Sequence, residues 1–277
     1  MEDTDFTCDD CAYKTVIKTI FGKERIRCNC FDLDIHPSAA CSHFVHVVDK
    51  PFGKLAYYSL LESNGGALSE SDKYIKPYYE RALEGDMGAY TDIASFYTLG
   101  TIVEKDPQLA FYYYKTAADA KDGDPIAQYN IGLYFIQGEL IPKDEKKGIK
   151  YIKKSADSKL WIAANYLGMY HDKRGNVMRA RNYYSIAAKQ GVASSQYFLA
   201  LSFLKEGFDD NSADMLRRGL FWLECAYLHD SNDMHYSGKA REILNSLISK
   251  GVCRKSSLER GMLKVKTDYP QYLTNPK

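Results

Sequence analysis

Small, apolar and aromatic residues recur with helical spacing through the middle of the chain. Four segments share a small residue, an aromatic ring three positions later, and mostly small residues seven and eight positions later. The four sets are Ala110, Tyr113, Ala117 and Ala118; Gly148, Tyr151, Ser155 and Ala156; Ala180, Tyr183, Ala187 and Ala188; and Gly219, Trp222, Ala226 and Tyr227. Residues at this spacing lie on one face of a helix. Each segment therefore predicts a helix whose small residues allow a close neighbour and whose ring fills the space beside them.

A second pattern precedes each of these helices. An apolar residue is followed by glycine or alanine, and a ring comes three positions after that small residue. The sets are Ile93, Ala94 and Tyr97; Ile131, Gly132 and Phe135; Leu167, Gly168 and His171; and Leu199, Ala200 and Phe203. Gly100, Gly138 and Gly207 follow three of the four, and each is expected to end its helix. The alternation of the two patterns predicts an all-α fold built from four helix hairpins.

The paired patterns resemble the Sel-one-like repeat (SLR) family, a branch of the tetratricopeptide-like solenoids. The segments AYTDIASFYTLGTIVEKDPQLAFYYYKTAADAKDG and QYNIGLYFIQGELIPKDEKKGIKYIKKSAD carry most of the family's unit, and the resemblance covers about residues 74–250. It implies a right-handed superhelix of hairpins. It also implies an adaptor role, in which the protein binds other proteins.

The chain is expected to have four parts. Residues 1–50 form a small cysteine-rich module, and residues 51–72 a connecting helix and linker. Residues 73–235 hold about four hairpins after a leading partial unit, which repeats the second-helix pattern at Tyr78, Ala82 and Leu83. Residues 236–277 supply a capping helix and a basic C-terminal tail. Terminal units of a helical repeat have to cover an otherwise exposed apolar face.

Cysteine is concentrated near the N-terminus, where five of the seven residues fall within the first 41 positions. Cys8, Cys11, Cys28 and Cys41 are the preferred ligands of a structural zinc ion, in a zinc-ribbon-like module. Cys30 is an alternative to Cys28, and His43 an alternative to Cys41. A metal would help to order a segment with few large aliphatic side chains. The competing interpretations are reduced cysteines packed as small apolar groups, or redox-active thiols.

Charge and hydropathy narrow the expected partners and location. Lys and Arg number 37 against 36 Asp and Glu, so no global field favours nucleic acid or an acidic membrane surface. No run of about 20 apolar residues is present, and the N-terminal sequence is acidic where a secretory signal would be basic. These features predict a cytoplasmic protein that binds a protein or peptide, and neither nucleic acid nor membrane.

Motifs of the common enzyme classes are missing from the sequence. It contains no Gly-rich phosphate loop, His-Glu-x-x-His or Gly-x-Ser-x-Gly motif, which predicts a non-enzymatic protein. One alternative remains, since Ser202 and Lys205 match Ser-x-x-Lys. Some cysteine-rich relatives in the family that the chain resembles are linked to penicillin binding or β-lactamase activity. No Ser-Asp-Asn or Lys-Thr-Gly motif follows, so chance explains the match better.

A partner-binding groove is predicted on the first helix of each hairpin. In tetratricopeptide-like arrays these helices line the concave surface, and positions three before, one after and four after the small residue point inward. The predicted groove residues are Tyr129, Leu133, Ile136, Asn165, Met169, Asp172, Tyr197, Leu201 and Leu204. Large apolar groups there would suit capture of a helix or an extended peptide, with Asn165 bonding its backbone. The alternative is that neighbouring helices cover these side chains.

Overall fold

The structure is a computed structural model and describes residues 14–18, 24–28, 33–35, 50–63, 66–229, 234–274 and 276. For the first three of these ranges it describes the backbone only. The chain divides into two compact units, Met1–Tyr151 and Ile152–Lys277.

Three short strands form an antiparallel sheet in the N-terminal part of the first unit. They are β1 (Lys14–Lys18), β2 (Glu24–Cys28) and β3 (Leu33–Ile35), in the order β1-β2-β3. Val16 pairs with Ile26, which also pairs with Ile35. This sheet lies within the predicted cysteine-rich module, and the regular elements described beyond it are helices.

Twelve α-helices follow in the described residues. In the first unit they are α1 (Pro51–Ser63), α2 (Glu70–Leu83), α3 (Met87–Leu99), α4 (Pro107–Asp119) and α5 (Pro125–Gln137). Helix α6 (Glu145–Asp157) contains the boundary between the units. In the second unit they are α7 (Trp161–Asp172), α8 (Val177–Ala188), α9 (Ala193–Asp209), α10 (Ala213–Leu228), α11 (Met234–Ser249) and α12 (Lys255–Asp268), followed by a 3₁₀ turn at Pro270–Tyr272.

Aromatic stacking joins the two helices of a hairpin, and it involves the rings of the two sequence patterns. The rings of Tyr97 and Tyr113 lie 6.0 Å apart at an interplanar angle of 4°. Their counterparts in the second hairpin, Phe135 and Tyr151, lie 5.9 Å apart at 8°. In the third hairpin His171 takes the place of the first ring and stacks on Tyr183 at 5.6 Å and 2°. The predicted helix pairing is confirmed in these three hairpins.

The small residues of both patterns are buried, as predicted, and they bring the helices into close approach. Ala94, Ala110 and Ala117 are fully buried. A Cβ added to Gly168 would lie 2.4 Å from Cδ1 of Tyr184, so only glycine fits where α7 meets α8. This close approach brings many atoms of the two helices into van der Waals contact, and their dispersion attraction stabilises the helix pair.

Aspartates at the helix N-termini fix the loops between helices. Asp106 accepts hydrogen bonds from the backbone N–H groups of Gln108 and Leu109, at 2.9 and 3.0 Å. Its own N–H donates to the carbonyl oxygen of Tyr97, the stacked ring residue, at 3.0 Å. Asp144 donates in the same way to Phe135 at 2.8 Å. The cap therefore begins one helix and also ties its loop to the helix before.

One predicted helix end is wrong. Gly100 and Gly138 end α3 and α5 with φ angles of 69° and 73°, as expected. Gly207, by contrast, lies inside α9, which continues to Asp209. A Cβ at Gly207 would come within 2.8 Å of Leu216, so this glycine serves the approach of α9 to α10.

The terminal elements also differ from expectation. In α2 the buried side chains are Ile75, Tyr79 and Ala82, whereas Leu83, assigned to the buried pattern, is 50% exposed. The predicted basic tail is largely helical, because α12 buries Leu258 and Val265 against the second unit.

The residues after α12 pack back onto the same unit. The ring of Tyr272 lies 5.4 Å from that of Trp222 on α10. The carbonyl oxygen of Tyr272 accepts a hydrogen bond from the buried amide of Gln196 on α9. The C-terminal segment therefore covers the last hairpin, as a capping element should.

Candidate partner-binding surface

The predicted groove residues of the first unit lie on α5. Tyr129, Leu133 and Ile136 are all half-buried. Ile136 faces α6, where a Cβ added to Gly148 would lie 2.6 Å from its Cγ1. Part of this surface is therefore covered by the neighbouring helix, as the alternative interpretation held.

In the second unit the predicted residues on α7 have different environments. Met169 is 39% exposed, and Asp172 is exposed as well. Oδ1 of Asn165 accepts a hydrogen bond from Oγ of Ser195 at 2.7 Å, which ties α7 to α9. The amide predicted to bond a partner's backbone thus takes part in helix packing.

On α9 the structure separates Leu201 from Leu204. Leu201 is half-buried and lines a cavity. Leu204 is only 5% exposed, and a Cβ added to Gly219 of α10 would lie 2.6 Å from its Cγ. Its assignment to the groove is wrong because α10 covers this side of the helix. Tyr197 is half-buried, and its ring lies 5.6 Å from that of Tyr236 on α11.

A cavity of about 450 Å³ lies beside these residues, within the second unit. We call it the α8–α9 cavity, since most of its lining belongs to these two helices. Its lining residues are Asp172, Val177, Arg181, Phe198, Leu201, Ser202, Lys205, Glu206, Asp209 and Asp210. Of the predicted groove residues, the structure brings Asp172 and Leu201 together here.

Arg181 on α8 forms one side of the α8–α9 cavity. Its Nε donates to Oγ of Ser202 at 3.1 Å, and its Nη2 donates to the carbonyl oxygen of Ser202 at 3.1 Å. The same Nη2 forms an ion pair with Oε2 of Glu206 at 2.5 Å. The guanidinium also lies over the ring of Phe203, 4.4 Å from its centroid. Bonded on several sides and nearly buried, Arg181 is held rigidly between the two helices.

The sequence pattern did not reveal this arginine as part of a site. Arg181 directly follows Ala180 of the repeat pattern, and its bonding partners lie more than 20 positions further along the chain. The sequence does show a cation within an otherwise apolar helix face. That observation alone does not predict which residues the arginine bonds.

Tyr184, a buried residue of α8, lies near the carboxylate of Asp172. Burial, and next the nearby Asp172 carboxylate, raise the pKa of the Tyr184 hydroxyl well above its ordinary value. Tyr184 therefore remains a neutral part of the core beside the acidic side of the cavity.

The arrangement around Ser202 gives no support to the hydrolase alternative. A serine nucleophile needs a neighbouring group that can take its proton. The group bonded to Oγ of Ser202 is the Arg181 guanidinium, which donates hydrogen bonds and has no atom that could accept the proton.

The predicted zinc ligands lie mostly outside the described residues. Cys28 ends β2, and the structure describes its backbone only. Those outside the description are Cys8, Cys11, Cys30, Cys41 and His43. In the part of the chain that is described, no group of three or more His, Cys, Asp or Glu side chains is placed to hold a metal ion.

Stacked helix hairpins with small residues at each crossing define the class of helical-repeat proteins. The model of the Sel1 repeat matches residues 88–122, 125–160, 161–192 and 193–231, one match for each hairpin from α3–α4 to α9–α10. Together the matches cover just over half of the chain. This chain belongs to the Sel1 repeat family.

Solved structures with a similar fold include a Sel1 repeat protein from Oxalobacter formigenes. It is 22% identical with a TM-score of 0.53, and the match covers 81% of this chain and 85% of the other. A protective antigen of uropathogenic Escherichia coli strains that displays an SLR fold is 18% identical, with a TM-score of 0.44 and coverage of 79% and 60%. An immunity protein from Pseudomonas aeruginosa is 20% identical, with a TM-score of 0.40 and coverage of 82% and 81%. The first of these supports the fold.

Among curated proteins, none matches this chain significantly. No helix in the described residues combines the length and the apolar character that crossing a membrane requires.

Proposed function

We propose that this chain is a protein-interaction scaffold that binds a protein or peptide partner through the surface around the α8–α9 cavity. Sel1 repeat proteins generally act as scaffolds for protein interactions, and the chain carries four such repeats. A cytoplasmic location is part of this proposal.

One observation carries the proposal: the α8–α9 cavity is open, is lined in part by apolar side chains, and lies between helices that Arg181 holds together. Val177 is 44% exposed and lies beside half-buried Leu201, although burial of both would stabilise the chain. Arg181 ties the two helices of the cavity together through Ser202 and Glu206. A preformed apolar surface on rigid helices loses little entropy when a partner binds.

The test compares two charge-matched variants in co-purification with partners from cells. Leu201→Glu places a carboxylate in the cavity, whereas Asn245→Glu places the same charge on an exposed position of α11. Partners retained by the wild-type chain and by Asn245→Glu should be lost from Leu201→Glu. Equal retention by all three chains, each shown to be folded by circular dichroism, would refute this surface as the binding site.

A further inference from the structure

We propose that the α8–α9 cavity recognises a basic residue, lysine or arginine, in the partner. This rests on the proposed function and adds the chemistry of the partner. The cavity is lined by four carboxylates and two cations, so its fixed charge is negative although the whole chain is nearly neutral.

The negative charge is concentrated on three carboxylates that the chain itself does not neutralise. Glu206 is paired with Arg181. Asp172, Asp209 and Asp210 form no salt bridge with any residue that the structure describes, and all three are exposed. Lys205 is the other cation in the lining. An incoming cation would find acceptors there without displacing an existing ion pair.

The apolar part of the lining suits the stem of a basic side chain. Val177, Phe198 and Leu201 provide aliphatic and aromatic surface beside the carboxylates. Lysine and arginine bury their methylene stems on apolar surface while the charged head reaches polar groups. An acidic side chain would meet like charge, and a purely apolar one would desolvate the carboxylates without pairing them.

Arg181 does not already fill this role for the chain. Its guanidinium is held against Phe203, Ser202 and Glu206, and it makes no salt bridge to Asp209 or Asp210. The open volume of about 450 Å³ is within the range of ligand pockets. It therefore has room for one long side chain and part of the backbone that carries it.

The experiment uses the full chain and three immobilised degenerate peptide libraries that differ only in one fixed residue: arginine, norleucine or glutamate. The chain should be retained on the arginine library about tenfold better than on the norleucine library, the effect of one well-placed charge-assisted contact. The glutamate library should retain least. The preference for arginine should fall as salt is added, because the carboxylates are exposed.

Three variants test whether the cavity is responsible. The double variant Asp209→Asn/Asp210→Asn should lose most of the preference, whereas Lys205→Gln should increase it by removing a like charge. Glu259→Gln removes an exposed carboxylate from α12 and should behave as the wild type.

Several results would overturn the inference. They are equal or absent retention on all libraries, a preference for glutamate, an unchanged preference in the double variant, or a dimer of the chain that Leu201→Glu dissociates. If the peptide preference fails while Leu201→Glu still loses its cellular partners, only the basic-residue inference falls. If Leu201→Glu loses none of them, the proposed function falls.

Discussion

A single buried carboxyl group should make the second unit less stable as the pH rises from about 4.5 to about 7. Glu224 on α10 is only 6% exposed, and no described residue donates a hydrogen bond to its carboxyl group. It faces α12, where a Cβ added to Gly261 would lie 2.4 Å from Oε1. Burial raises the pKa of Glu224 from 4.5 to about 7.

The sign and size of the effect follow from this pKa. Above pH 4.5 the unfolded chain releases the Glu224 proton, while the folded chain keeps it until about pH 7. The free energy of unfolding therefore decreases across this interval and levels off above it. At about 1.4 kcal/mol for each pH unit, the total loss is about 3 kcal/mol. Glu224→Gln keeps the shape and removes the ionisation, so its unfolding free energy should not fall in this way.

Tryptophan fluorescence can follow this unit selectively. Both tryptophans of the chain, Trp161 and Trp222, belong to the second unit. Urea unfolding of the wild type and of Glu224→Gln, monitored by tryptophan emission between pH 4 and 8, gives the unfolding free energy at each pH.

Glu259→Gln is the matched control, since it removes an exposed glutamate from α12. It should reproduce the pH dependence of the wild type, whereas Glu224→Gln should be more stable than the wild type at pH 8. If Glu224→Gln and the wild type lose stability in parallel from pH 4.5 to 7, the buried carboxyl is not the cause and the reasoning fails.

Three further predictions concern packing and metal content. Gly168→Ala should destabilise the second unit by about 1–3 kcal/mol in urea unfolding, because the added methyl group overpacks against Tyr184. Gly238→Ala is the control: the added methyl group meets open space, so the same measurement should show a neutral or slightly stabilising effect. Tyr113→Ala removes a fully buried, stacked ring and should cost about 3–5 kcal/mol, measured by circular dichroism; a cost below 1 kcal/mol would contradict the packing. We propose that the cysteine-rich module binds structural zinc, so elemental analysis of freshly purified reduced protein should give near one zinc per chain, falling with Cys8→Ser; a value near zero in the wild type would contradict it.

The helix hairpins were predictable from the sequence because their packing depends on local spacing. A small residue with a ring three positions away fixes both on one face of one helix, without knowledge of the neighbour. The stacking of Tyr97 on Tyr113, and of His171 on Tyr183, then follows when two such helices meet. Even histidine kept the geometry, since a flat ring in that position is what the packing requires.

The wrong sequence predictions concern residues whose environment depends on which neighbouring helix packs against them. Gly207 was expected to end α9, but it lies where α10 approaches, and the helix continues past it. Leu204 has the spacing of a groove residue, yet α10 covers it. Periodicity identifies an apolar face, but only the arrangement of the next helix decides whether that face meets solvent or protein.

The fourth hairpin explains why the α8–α9 cavity lies where the repeat pattern changes. Trp222 occupies the second-ring position, but its ring packs with Tyr272 of the C-terminal segment at 5.4 Å. Arg181 of the preceding hairpin lies over Phe203, the first-ring residue, and bonds Ser202 and Glu206 on the same helix. A planar cation can pack on an aromatic face much as a second ring does, but it also needs polar partners. Those partners bring hydroxyl and carboxylate groups to the surface of α9, so the packing of Arg181 on Phe203 contributes to the polar lining of the α8–α9 cavity.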